Sequence, residues 1–190
     1  MIAETLVDRQ TLRLYHQRMK RIVVSLALVL VLAASTLAVE CPDIRVYFSP
    51  KGGCTEEIVK ELHKAQKTVL MQAYSFTSKD IAEALVAAKK RGVDVQAILD
   101  KSVRKQGYTE ADFLAHANVK TLIDAKHAIA HNKVMVIDDQ TVITGSFNFT
   151  KAAETSNAEN LLIIRDKTIA DKYTKNWKEH EKHSESYDAK

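Results

Sequence analysis

The sequence is poor in glycine, proline, cysteine and tryptophan: its 190 residues include only 5 Gly, 2 Pro, 2 Cys and 1 Trp. No internal repeat or low-complexity segment is present, which excludes repeat and compositionally biased architectures. Hydrophobic residues make up 46% and charged residues 27% of the chain, a globular composition. A chain of this length folds around one proper core and is too short for two large domains.

The sequence also lacks a strong charge of either sign outside its N-terminus. The formal net charge is +4, but residues 39–190 hold 23 basic and 22 acidic residues, because five basic residues lie before position 39. The net charge of this part is therefore near +1. Any affinity for a polyanion must come from local placement of Lys and Arg rather than from a global field.

The N-terminal segment has the three parts of a secretory signal peptide. Lys20 and Arg21 form a basic region, residues 22–34 form a short apolar run, and small residues then offer a cleavage site after Ala38. We expect cleavage there, with residues 39–190 exported to the periplasm or secreted.

Two alternatives concern this leader. Residues 1–18 are polar, so they are either an extended start of the leader or precede a true initiator at Met19 rather than Met1. An uncleaved membrane anchor is the other alternative, since the apolar run stretched to Val39 nearly reaches spanning length.

Cys41 and Cys54 are the only cysteines. In an oxidising compartment they are expected to form a disulfide that closes a short loop and fixes the first strand. The alternative, a pair of metal ligands, lacks further cysteines or suitably placed histidines nearby.

Strand and helix signals alternate along the rest of the chain. Strands are predicted at residues 44–50, 68–76, 93–100, 119–124 and 160–166, with a hairpin at 130–150. Helices are predicted to begin at Thr55, Ser78, Thr109 and residue 167. In the last helix, Ile169, Tyr173 and Trp177 form an apolar stripe typical of core packing. This order predicts an α/β domain with a mixed, mostly parallel sheet flanked by helices on both faces.

Polar side chains interrupt the apolar alternation of the hairpin at residues 130–150. Because side chains two apart in a strand share a face, His131 and Lys133 point the same way, as do Ser146 and Asn148 on the returning strand. We expect these four groups to cluster at one end of paired strands, where together they suit a tetrahedral anion. The alternative is an ordinary hairpin whose polar groups are satisfied by hydrogen bonds.

Two further residues of the hairpin, Asp138 and Gly145, are expected to have roles outside this cluster. Asp138 has the opposite parity to Lys133, so it should not reach the same pocket in a regular strand. Gly145 lets the backbone approach a neighbour closely, or marks a bulge.

The hairpin resembles the H-x-K-x4-D-x6-G-S-x-N signature of the phospholipase D superfamily, with complete spacing from His131 to Asn148. The resemblance continues through residues 149–164. The chain is most similar to the small, exported bacterial endonuclease branch, which carries one motif, whereas larger phospholipases D carry two. The resemblance implies the phospholipase D/nuclease-like fold.

A single motif implies a homodimer in which two His131 side chains meet across a twofold axis. One would attack phosphorus and form a phosphohistidine, and the other would protonate the leaving oxygen and then activate water. Lys133 and Asn148 of both chains would hold the non-bridging oxygens, and Ser146 would add a hydrogen bond.

The family also has a glutamate that orients the nucleophilic histidine, and Glu159 matches its position. Glu154 is the local competitor, but we expect it on a helical turn exposed to water. Asp138 is expected to be a structural anchor of the turn. The implied chemistry needs neither a metal ion nor a cofactor.

The histidines give little support to a metal site. His127 and His131 are four apart, a spacing that suits zinc on a helix, but the segment is strand-like. The remaining histidines outside the leader are expected at the surface or on helix faces: His63, His116, His180 and His183.

We therefore expect a metal-independent phosphodiesterase, a non-specific endonuclease of DNA with RNA as a further substrate. A lipid hydrolase acting on cardiolipin or phosphatidyl head groups is the alternative, although residues 39–190 show no evident membrane-binding segment. A non-catalytic nucleic-acid-binding protein is the third hypothesis. The basic runs at 89–91 and 101–105 are either contacts to a phosphate backbone or ordinary solvated surface.

Overall fold

The structure is a computed structural model that describes residues 9–34, 41–107 and 109–190. The chain divides between Cys41 and Pro42 into two units. The elements along the chain are α1 (Arg9–Ala34), β1 (Asp43–Ser49), α2 (Cys54–Lys64), β2 (Thr68–Ala73), α3 (Lys79–Lys90), β3 (Asp94–Asp100), a 3-10 helix (Lys101–Lys105), α4 (Glu110–His116), β4 (Lys120–Asp124), β5 (Lys133–Ile137), β6 (Thr141–Gly145), α5 (Lys151–Thr155), β7 (Glu159–Arg165), α6 (Lys167–Glu181) and β8 (Glu185–Ser186).

The first unit contains α1, which includes the apolar run of the predicted leader. Its side chains from residue 11 to 25 are exposed. The expected cleavage site after Ala38 lies outside the described residues. Within the described ranges, no helix is both long enough and apolar enough to cross a membrane.

The second unit is built on one mixed sheet of eight strands in the order β1-β7-β6-β5-β2-β3-β4-β8. The α/β class with a mixed sheet is confirmed. The expected predominance of parallel pairs is wrong, since only β2–β3 and β3–β4 are parallel and the other five neighbouring pairs are antiparallel. Crossover helices join those two parallel pairs, whereas a tight turn joins β5 to β6 and a longer connection that contains α5 joins β6 to β7.

Helices cover both faces of the sheet. On one face, α2, α3 and α4 bury apolar side chains such as Ile58, Leu85 and Leu114 against the sheet residues Met71 and Met135. This face is called the α2–α3 face below. The burial of alternate strand residues on two faces explains why the central strands read as nearly continuous apolar runs.

The opposite face, called the α6 face, is covered by α6. Trp177 is only 2% exposed, and its indole Nε1 donates to the carbonyl of Met71 at 2.9 Å. Ile169 and Tyr173 pack beside it against Leu70 and neighbouring residues. The predicted core role of this stripe is confirmed.

Cys41 and Cys54 are both free thiols in this structure, so the predicted disulfide is not observed. Cys41 is exposed, whereas Cys54 opens α2 and is fully buried in the core beside Ile58 and Leu62. Burial, reinforced by the nearby charge of Glu154, raises the pKa of the Cys54 thiol to about 11. A buried, protonated thiol in the core is chemically quiet.

Candidate active site

Four of the motif residues, His131, Lys133, Ser146 and Asn148, lie at one edge of the sheet, where β2 and β6 end and β5 and β7 begin. Lys133 pairs with Ala73 of β2, and both lie on the α2–α3 face. The pairing of β5 with β6 and of β6 with β7 places Gly145 and Leu161, which pair with each other, on the same face. Glu159 has the same parity as Leu161 in β7. Lys133 and Glu159 therefore lie on the same face at the same edge.

His131 is exposed just before β5, and Tyr74 joins it to Lys133. The His131 and Tyr74 ring centroids are 4.6 Å apart, and the Lys133 ammonium lies 5.1 Å from the Tyr74 centroid. Lys133 Nζ also donates to the carbonyl of His131 at 2.9 Å. Tyr74 is a site residue that sequence reasoning missed, although its place at the end of the apolar strand β2 was a usable signal.

The ammonium of Lys133 is costly to bury, and the fold leaves its charge available. Lys133 is 7% exposed, and burial lowers its pKa while the nearby Glu159 carboxylate opposes that shift. Within the described part of the chain, no carboxylate forms a salt bridge with it; its recorded hydrogen bond goes to a backbone carbonyl. Such a group is an anion site, because a bound anion would compensate the buried charge.

Ser146 and Asn148 are presented by a short segment that leaves the sheet after β6. Phe147 and Phe149 are fully buried, so the two residues with alternate parity are directed away from the core. Ser146 is exposed and Asn148 is half-buried. The parallel bridge between Phe149 and Phe76 fixes the end of this segment.

Strand alternation alone does not produce this arrangement. Thr144 pairs with Val134, so a straight continuation of β6 would place Ser146 on the face opposite to Lys133. The chain instead changes direction at Gly145, where φ is 149°.

Asn160 fixes the geometry around this bend. Its backbone N–H donates to Ser146 Oγ at 3.1 Å and its side-chain amide at 3.2 Å. A Cβ at Gly145 would overlap the Asn160 carbonyl oxygen, so glycine is required there. Asn148 Oδ1 is buried and has no hydrogen-bond partner among the described residues. Sequence reasoning missed Asn160, which follows directly after the matched glutamate.

The two candidate glutamates have different partners. Glu159 accepts from Asn157 Nδ2 at 3.2 Å and acts on the Lys133 charge. No hydrogen bond joins it to His131 within the described chain.

Glu154 is half-buried rather than exposed on its turn, contrary to expectation. Its carboxylate accepts from the backbone N–H of Gly53 at 3.0 Å and of Thr55 at 2.7 Å. It thus caps the start of α2, a role that the sequence assigned to Thr55, which lies inside the helix. Glu154 is committed to the fold, and Glu159 is left for the site.

Asp138 lies at the other end of β5, in the turn to β6. Its carboxylate accepts three backbone N–H groups, from Gln66 at 2.9 Å, Lys67 at 2.7 Å and Thr68 at 2.9 Å. These bonds join the turn to the segment that enters β2.

The two basic runs lie at opposite edges of the sheet. Residues 89–91 end α3 and precede β3, away from His131, and Arg91 donates to the carbonyl of Leu62 at 2.9 Å. Residues 101–105 follow β3 and lie at the edge where His131 is found. Arg104 there contacts Glu185 at 2.6 Å.

Two histidines expected on the surface or on helix faces converge with a third on one carboxylate. His180, His183 and His127 surround the buried Asp124, with their ligand atoms within 4.8 Å of one another. In the sequence these four residues form two short patterns, D-x2-H and H-x2-H, that lie far apart in the chain.

Residues 58–180 match the family model described as "Cardiolipin synthase, PLD-like domain". This range includes the whole motif from His131 to Asn148, and Glu159. The chain belongs to the phospholipase D superfamily. Its members are phosphodiesterases, and the predicted family is confirmed.

Individual relatives agree. The chain is 44% identical over 135 residues to a phospholipase D of Rickettsia typhi, covering 71% of this chain and 66% of that protein's length. It is 33% identical over 131 residues to a mitochondrial cardiolipin hydrolase of Xenopus laevis, covering 69% and 61% respectively. The crystal structure of the phospholipase D family member Nuc from Salmonella typhimurium superposes with a TM-score of 0.74 and 37% identity, covering 78% of this chain and all of Nuc.

Proposed function

We propose that this protein is a metal-independent phosphodiesterase, a non-specific endonuclease that hydrolyses DNA, and RNA as a further substrate, through a phosphohistidine in a homodimeric site. The observation that carries the proposal is the buried Lys133 ammonium beside the exposed His131 imidazole. One group binds a phosphate oxygen and the other is free to attack phosphorus.

The reaction would proceed in two balanced steps. His131 of one chain attacks phosphorus, the bond to the leaving oxygen breaks, and the partner's His131 gives that oxygen a proton. The partner's His131 then takes a proton from water, whose oxygen displaces the first imidazole. Lys133, Ser146 and Asn148 would stabilise the charge on the non-bridging oxygens.

An apolar stripe beside the site supports the dimer. Ile44, Val46 and Phe48 on β1 are 48%, 49% and 66% exposed, on the face that α2 does not cover. Phe48 pairs with Asn160, which holds Ser146. A second copy placed on this stripe would shield its exposed apolar side chains from water.

The histidine mechanism is tested by comparing His131→Ala with His63→Ala in the presence of excess EDTA. His63 is an exposed histidine on α2, so its replacement should leave plasmid cleavage unchanged. Loss of His131 should slow cleavage on the order of 10³-fold or more, because nucleophile and acid are removed together. Full activity of the His131 variant would contradict the proposal.

The shared site is tested by co-refolding wild-type and His131→Ala chains in equal amounts. If one site needs both histidines, only wild-type homodimers are active, and about a quarter of the activity remains for random pairing. About a half would remain if each chain acted alone, and that result, or a monomeric active enzyme, would exclude the shared site.

The choice of nucleic acid rests on the basic 3-10 helix at the His131 edge. Lys105→Ala should weaken DNA binding and lower the slope of log K against log salt by about 1, the effect of one phosphate contact. The matched control is Lys89→Ala, at the opposite edge, which should change neither. Equal effects from both variants would argue against a defined nucleic-acid path.

Lipid phosphodiester hydrolysis is the second candidate, since relatives bear the names phospholipase D and mitochondrial cardiolipin hydrolase. Parallel assays on labelled DNA and on cardiolipin vesicles separate the two. Faster turnover of the lipid, lost in His131→Ala, would favour this candidate over the nuclease.

We also propose that the protein is exported. The basic pair Lys20 and Arg21 and the following apolar run support this. N-terminal sequencing of the protein recovered from a bacterial periplasm or medium should show a chain beginning at Val39. Retention of residues 1–38 would favour a membrane anchor.

A further inference from the structure

A cluster of four potential metal ligands lies where β4 ends and α6 ends, and the proposed reaction uses none of them. Asp124 closes β4 and His127 follows it in the β4–β5 connection, while His180 and His183 lie in and just after the last turn of α6. We call these four residues the Asp124 cluster. Asp124 points to the α6 face because it shares the parity of the buried Leu122, which packs there.

Three imidazoles converge on a single oxygen in this cluster. Asp124 Oδ2 lies 2.8 Å from His127 Nδ1, 2.8 Å from His180 Nδ1 and 3.3 Å from His183 Nε2. All four ligand atoms lie within 4.8 Å of one another. In a tetrahedral zinc site with bonds of 2.0–2.1 Å, neighbouring ligands are about 3.3 Å apart, so small side-chain adjustments would suffice.

Ordinary hydrogen bonding does not account for all four groups. His127 and His180 satisfy hydrogen-bond geometry to Asp124, but His183 Nε2 is buried and makes no hydrogen bond in the described structure. Asp124 is fully buried, and within the described part of the chain no lysine or arginine forms an ion pair with it.

The type and number of ligands indicate the kind of ion. Three imidazole nitrogens and one carboxylate oxygen form a closed four-coordinate set of the kind that binds structural Zn²⁺. The ligands come in two pairs spaced three residues apart, which resembles the paired spacing of zinc sites. No open position would remain for a substrate, so such an ion would stabilise the fold rather than react.

We propose that the Asp124 cluster binds one Zn²⁺ ion that joins the end of α6 to the β4–β5 connection. That connection includes His131 and is already held to neighbouring segments by hydrogen bonds. Lys101 Nζ donates to the His127 carbonyl at 2.8 Å, and the Ala130 N–H donates to Asp100 at 2.8 Å. The ion would add a further attachment and limit the positions of His131. The site stands independently of the proposed reaction.

The first test measures zinc binding by the full protein freed of metal by chelation. Titration with ZnCl₂ in a calorimeter should show one site per chain, and saturating zinc should raise Tm by about 5 to 10 °C. His183→Ala and His127→Ala should each weaken binding at least about 10-fold, since even outer-shell changes cost that much. His63→Ala is the matched control and should bind as the wild type does.

A second measurement uses only the wild-type chain, in case a variant fails to fold. Co²⁺ in a tetrahedral nitrogen–oxygen site absorbs visible light far more strongly than octahedral Co²⁺, so strong bands that zinc abolishes are expected. The proposal is overturned if zinc does not bind at one equivalent, if cobalt gives only the weak octahedral spectrum, or if His63→Ala loses zinc as readily as His183→Ala.

Discussion

Replacing Asp138 by alanine removes the acceptor of three backbone hydrogen bonds that join the β5–β6 turn to the start of β2. Bonds to a charged acceptor contribute about 1.5–3 kcal/mol each when shielded from water. The bonds from Gln66 and Lys67 are exposed, so water competes for them and lowers their contribution to stability. The bond from Thr68 is partly buried. We expect the lost bonds to lower the free energy of unfolding by about 2–3 kcal/mol.

The turn supplies its own matched control. Asp138 and Asp139 both have φ of 54°, so alanine at either position suffers the same left-handed strain. Asp139 is exposed, and its side chain accepts one bond, from Thr174 at 3.3 Å. Asp139→Ala therefore measures the strain together with the loss of one exposed hydrogen bond, and the further loss of stability in Asp138→Ala measures the Asp138 carboxylate.

Fluorescence of Trp177, the only tryptophan and a buried one, follows unfolding by urea or heat. Asp138→Ala should melt about 5 to 10 °C below Asp139→Ala. Phosphodiesterase activity per folded molecule should be unchanged, because Asp138 lies at the opposite end of β5 from Lys133. Equal stability of the two variants, or a folded but inactive Asp138 variant, would refute the reasoning.

Three further predictions concern the site and the core. Lys133→Met should raise Tm and lower activity about 10²–10³-fold. Burial lowers the Lys133 pKa, so protonating this lysine destabilises the fold at pH values below the ordinary lysine pKa. Methionine removes that loss of stability, and a variant that is less stable than the wild type at pH 7 would contradict this. Gly145→Ala should lower the free energy of unfolding by on the order of 3 kcal/mol or more, and Gly107→Ala by less than about 0.5 kcal/mol, because a Cβ at Gly107 meets nothing. Similar melting curves for the two variants would exclude the close approach of the Asn160 backbone to Gly145. Iodoacetamide at pH 8 should modify Cys41 alone, because burial raises the Cys54 pKa to about 11, and Cys54 should react only after unfolding; no reactive thiol in the native protein would indicate a disulfide after all.

The part of the site that lies within one short segment was readable from the sequence. His131, Lys133, Ser146 and Asn148 stand at fixed spacings, and the family resemblance supplied their roles. The alternation of side chains along a strand did not predict the bend at Gly145, because the bend depends on the close approach of the Asn160 backbone to this glycine.

Features that join distant parts of the chain were not readable. Asp124 and His180 are brought together by the packing of α6, and Glu154 reaches the start of α2 because β1 pairs with β7. The parallel share of the sheet was overestimated for the same reason. Alternating elements predict crossovers, but nothing local shows that β1 pairs with β7.

The pairing of β1 with β7 also dictates the order of assembly. Ser49 pairs with Glu159 and Asp43 with Arg165, so the first strand to leave the ribosome has its partner among the last. Contacts of such long sequence separation close large loops and slow folding. Until β7 emerges, β1 has no neighbour in the sheet, and its apolar residues remain open to holding chaperones or to other nascent chains. The strand that borders the site is thus synthesised early but joins the sheet late in folding.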